Sequence, residues 1–103
     1  MNIPKTVRIL GRTYEVEHIN IEKEKDNDGH RGYVNYPNQR IIIDNSGHRE
    51  RQESTLLHEI IHVIATIQSV DLKEKDVELI EAGLYQVIKD NPGIFEGDII
   101  RYV

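Results

Sequence analysis

The sequence predicts a small α+β domain: N-terminal β-hairpins form a sheet, packed on two C-terminal helices. Three observations carry this expectation. Apolar and polar residues alternate with period two in short stretches up to Asp44, a strongly apolar run of helical length surrounds Thr55 to Ile64, and a second segment of helical period runs from about Leu72 to Asp90. With 103 residues and no repeat or low-complexity tract, residues 1–103 read as one domain with one modest core and a shallow site.

Thr6 to Leu10 and Thr13 to Ile19 alternate around Gly11-Arg12 and read as a first hairpin with one wet face. The stretch from Ile21 to Gly32 is polar and aperiodic, a solvated loop in which His30 is taken as a surface residue. Gly32 to Tyr36 and Gln39 to Asp44 flank Tyr36-Pro37-Asn38-Gln39, whose proline presets a turn, and form a second hairpin. Arg40 to Asp44 is the most apolar strand, expected beside the site; as an edge strand it would hold an extended peptide by strand addition. Asp44-Asn45-Ser46-Gly47 breaks the strand, with Ser46 the favoured N-cap of a helix reaching about Ser69. His48, nearly three turns before His58, is taken as a surface histidine. Asp71 and Glu74 resemble a capping box opening the second helix, and Asn91-Pro92-Gly93 ends it. Val77, Ile80, Leu84, Val87 and Ile88 give that helix an apolar face for an αα-hairpin with the first, and the tail from Asp98 to Val103 reads as a short strand.

The first helix carries the chemistry. His58-Glu59-Ile60-Ile61-His62 is an H-E-x-x-H signature, and residues four apart on a helix lie one above the other, so two imidazoles converge on one point. Leu57, Ile60, Ile61 and Ile64 form one apolar face and Leu56, Val63 and Ile67 another. The remaining stripe of Thr55, His58, Glu59, His62 and Thr66 is polar on a helix buried on most sides, and needs partners. A zinc ion supplies them, with Glu59 placed to act on a water beside it as general base.

Composition narrows the alternatives. The absence of cysteine excludes disulfides and thiolate ligands, leaving His, Asp and Glu to hold a metal. No apolar run approaches the roughly 20 residues of a membrane span, and the N-terminus has no signal-peptide core, so a soluble cytoplasmic protein is expected. A net charge of -5 without a basic patch argues against direct nucleic-acid binding.

A hydrolytic zinc site needs a third protein ligand. The second helix offers Glu78 and Glu81; periodicity favours Glu81, which lies between Val77 and Leu84 on the apolar side. His58-Glu59-Ile60-Ile61-His62 followed by a glutamate on the next helix resembles a gluzincin-type zincin. With Leu84 to Asn91 added, the order of elements resembles small phage and prophage proteins related to the ImmA/IrrE metallopeptidases, over most of residues 3 to 91. That resemblance implies a zincin-like domain with Glu78 as third ligand, although Glu81-Ala82 stands where the family pattern has Ala-Asn. Tyr85, one turn beyond Glu81, is a candidate oxyanion stabiliser, with a core role as its competitor.

The resemblance implies a zinc-dependent endopeptidase of narrow specificity, acting on a peptide or protein such as a regulatory protein, in a bacterial host cytoplasm if phage-encoded. The competing expectation is a zincin-fold binding module in which one Zn2+ ties two helices together without hydrolysis. Glu59 separates them, because a purely structural site gains nothing from that carboxylate.

Overall fold

A computed structural model describes residues 3–21 and 30–94; most of the Ile21 to Gly32 loop and the expected terminal strand lie outside the described residues. Four strands, β1 (Thr6–Ile9), β2 (Arg12–Ile19), β3 (Gly32–Asn35) and β4 (Arg40–Asp44), precede two helices, α1 (Arg49–Ile67) and α2 (Glu74–Asp90). Both hairpins form as expected. The first turns on Leu10 and Gly11, both at positive φ, one residue earlier than Gly11-Arg12. This two-residue turn matches the twist of the flanking strands.

The sheet order is β1-β2-β4-β3. β4 pairs in parallel with β2, from Glu15 opposite Arg40 to Ile19 opposite Asp44, and antiparallel with β3. β4 is therefore a central strand, so the condition under which it would hold an extended peptide is not met; β1 and β3 are the edges, and β3 is the one beside β4. Its composition agrees, since Ile41, Ile42 and Ile43 are all buried, as a strand flanked on both sides requires.

One face of α1 covers the sheet: Leu56 and Val63 join Ile9, Tyr14, Val16, Ile41 and Ile43 in the main core, with Ile60 and Ile67 at its margin. The other apolar face meets α2, where Leu57, Ile61 and Val77 pack with Leu72, Leu84, Tyr85 and Ile88. α2 thus leans on α1, and it is α1 that covers the sheet. Ile64, Ile80 and Val87, expected on packed faces, are partly exposed. The chain reverses between the helices through Ser69 at φ 57, where the Val70 N–H donates to the Ala65 carbonyl.

The helix starts differ from the sequence expectation. α1 begins after His48, because the Ser46 hydroxyl donates to Asp44 instead and holds that carboxyl below its ordinary pKa. α2 begins after Lys73, whose N–H donates to the Asp76 carboxylate at 3.1 Å, so Asp76 does what Glu74 was expected to do. Among the described residues no helix is long and apolar enough to cross a membrane.

Candidate metal centre

The helical repeat brings His58 and His62 together with ring centroids 4.9 Å apart. Freed from capping, Glu74 reaches across from the first turn of α2. Its Oε1 lies 2.7 Å from His58 Nε2 and its Oε2 lies 3.0 Å from His62 Nε2. One ligand atom from each of these residues falls within 4.8 Å of the others. Glu74 was missed because Asp71 and Glu74 fit a capping box; the signal that could have found it was Asp76, an equally good cap acceptor two residues on.

The two glutamates named from sequence stand elsewhere. Glu78 is exposed and lines the same pocket as His58, Glu59 and Glu74, outside the three-residue cluster. Glu81 is buried on the apolar side, as its periodicity implied, but behind His58: its Oε1 is 2.7 Å from Nδ1 of that ring, and the Ser54 hydroxyl donates to its other oxygen.

Proton accounting decides whether a cation fits. A neutral imidazole has one N–H, yet His58 has a carboxylate oxygen at each ring nitrogen. If Nδ1–H donates to Glu81, the Nε2 lone pair faces Glu74 oxygen at 2.7 Å, an arrangement that needs positive charge on the ring or between the two atoms. Two imidazoles and a carboxylate, without a thiolate, form the donor set of a catalytic zinc site. The residues present fit the ion.

Glu59 sits beside this cluster, 7% exposed, with its pKa pushed up to about 7 from 4.5. Burial is the main cause; Glu74 and Glu81 add to it, while His58 and Arg31 oppose it. Because the folded value lies above the unfolded one, the protonated form favours folding and the charged form opposes it. Glu59 costs nothing below pH 4.5, and its penalty grows between 4.5 and 7. Above that it reaches about 3 kcal/mol. Chelator-treated Glu59→Gln should accordingly resist urea better than the parent protein above neutrality, with the advantage gone by pH 4.5. An advantage independent of pH would contradict this origin.

The pocket around these groups has a volume of about 150 Å3 and is lined by His30, Arg31, Gly32 and Thr55 together with the carboxylates. A second hollow continues from it along Tyr33, Val34 and Tyr36 past His62. His30 is exposed, as expected, yet it lines both hollows; nothing in its polar loop signalled that. His48 is exposed at the start of α1. The Tyr85 hydroxyl donates to buried Glu53 at 2.8 Å, and burial together with that bond raises its pKa to about 12. Tyr85 does not line either hollow beside the histidines, so its proton is engaged elsewhere and the core role fits it better than oxyanion stabilisation.

A family model described as the IrrE N-terminal-like domain, Peptidase_M78, matches residues 15–82. Comparison with curated proteins and with solved structures returned no match. The match runs from β2 through α1 to the turn of α2 that carries Glu81, more than half of the chain, and the four-stranded sheet followed by two helices is the fold that the motif implied. The chain belongs to the IrrE N-terminal-like domain family and is a zincin-like, metallopeptidase-like domain.

Proposed function

We propose that this protein is a zinc-dependent endopeptidase of narrow specificity that cuts a peptide or protein substrate, with His58, His62 and Glu74 holding one Zn2+ and Glu59 acting as general base. The observation that carries the reading is the convergence of His58 Nε2, His62 Nε2 and a Glu74 carboxylate beside a buried carboxylate whose pKa lies near neutrality. When bound, zinc supplies Lewis acidity, polarising a carbonyl and acidifying a water. Glu59, buried beside the cluster, would accept a proton from an attacking water at its carboxylate and hand it on to a departing amine.

The edge strand β3 supports a peptide substrate. It begins at Gly32, where an added Cβ would come within 3.4 Å of Glu59 Oε2, and the hollow along Tyr33 to Tyr36 runs past His62. A substrate in extended form would add to β3 rather than to β4, with its scissile bond over Glu59. A regulatory protein as target, a phage or prophage origin and a bacterial cytoplasmic setting are what the family resemblance adds to this reading.

Metal titration tests the ligand set. Wild type should bind one Zn2+, and His62→Ala and Glu74→Ala should each lose it at micromolar concentration, while Glu78→Ala keeps it. Loss in Glu78→Ala with retention in Glu74→Ala would move the third position to Glu78; unchanged binding in His62→Ala would end the metal reading.

A further inference from the structure

His58 is the one ring of the pair whose far side meets a buried acid, and that acid is not part of the three-donor cluster. Glu81 is 7% exposed, with Oε1 2.7 Å from His58 Nδ1 and Oε2 receiving the Ser54 hydroxyl. Ser54 stands one turn before His58 on α1, so serine and histidine address the two oxygens of one carboxylate from the same helix face. Both oxygens are thereby fixed, and so is the plane of the carboxylate. Such a carboxylate accepts a hydrogen bond from Nδ1–H, which in the neutral ring leaves Nε2 as the nitrogen with a free lone pair on the side of the site.

We infer that Glu81, oriented by Ser54, is a positioning residue that holds His58 in its Nδ1–H tautomer and aims Nε2 at the metal. This rests on the proposed metal reading for its functional meaning, but its structural content does not. The side chain that periodicity placed on the apolar face is buried to serve an imidazole from behind. The paired Ser54 explains how an apolar interface tolerates a carboxylate: each oxygen has a donor. Carboxylates in this outer position orient a ligating ring and raise its basicity, and their loss lowers metal affinity by roughly 10- to 100-fold.

Two readouts test the inference on the intact purified protein. Imidazole nitrogen NMR of the chelated wild type, with the pH raised until the spectrum itself shows the His58 ring neutral, should show His58 as the Nδ1–H tautomer, in Glu81→Ala as a mixture, and in Glu81→Gln as Nδ1–H still, since the amide oxygen accepts the same bond. Zinc affinity, read by competition with a chromophoric chelator, should fall roughly 10- to 100-fold in Glu81→Ala, less in Glu81→Gln, and less again in Ser54→Ala. An Nε2–H tautomer in the wild type, or wild-type zinc affinity in Glu81→Ala, overturns the positioning role. If His58→Ala binds zinc as tightly as wild type, the metal reading fails instead, and the tautomer still decides what Glu81 does. The wild-type spectrum needs no variant, so a poorly folding Glu81→Ala does not shield the claim.

Discussion

Glu59→Gln should retain zinc and fold as well as wild type or better, while cleavage of a susceptible peptide slows by roughly 10²- to 10⁴-fold, the usual contribution of a positioned general base. The substitution preserves the shape of the side chain and removes only its capacity to accept a proton. The side chain is buried beside His58 and belongs to no three-donor cluster among the described residues, so metal binding has no reason to suffer. Incubating zinc-loaded protein with a proteome-derived peptide library and reading new termini by mass spectrometry supplies the assay. Wild type should cut a narrow set of sequences and the variant almost none. A library left intact by wild type would leave the protein as a metal-stabilised binding module, and equal cutting by both would remove Glu59 from the role of general base.

The largest loss of stability is expected at Gly32. Here β3 crosses α1 so closely that an added Cβ would lie 2.7 Å from Thr55 Cγ2 and 2.8 Å from the carbonyl oxygen of Ile42. The threonine methyl has little room to turn on a buried helix face, and the carbonyl belongs to the central strand of the sheet. Gly32→Ala must therefore push β3 away from α1, at a cost of about 1–3 kcal/mol. In a domain of this length each kcal/mol lowers the melting temperature by roughly 4–8 °C. The same displacement opens the hollow over Glu59, so cleavage should decline along with stability. A Gly32→Ala protein that melts with wild type would show that the strand does not approach the helix this closely. Alanine at Gly11, which has open space around it, tests backbone conformation alone, since only its φ of 83 resists a side chain.

What the sequence disclosed, and what it withheld, follows from how local each feature is. The histidine pair and Glu59 were legible because four residues on one helix set their geometry, and the two hairpins because each turn lies within a few residues of its strands. The central position of β4 depends on pairing with β2 across an intervening strand, which no local pattern encodes; the unbroken Ile41-Ile42-Ile43 run was its one visible sign. Glu81 was correctly given a buried face, yet periodicity says only that a side chain is turned inward, not whether it meets a metal or the back of an imidazole. Glu74 was hidden by a cap assignment that a two-residue shift of the helix start undid. The departure at Glu81-Ala82 from the family pattern, at first sight a blemish in the ligand register, coincides with the carboxylate that pairs with Ser54.

The parallel pairing of β2 with β4 has a kinetic consequence. The three clustered donors all lie between His58 and Glu74 on neighbouring helices, whereas β2 can meet β4 only after the long excursion through β3 closes on itself. Contacts near in sequence form sooner than contacts that must first gather a wide loop. The joining of β2 to β4 is thus the expected slow step on refolding from denaturant, with His58, His62 and Glu74 brought together before the two hairpins become one sheet.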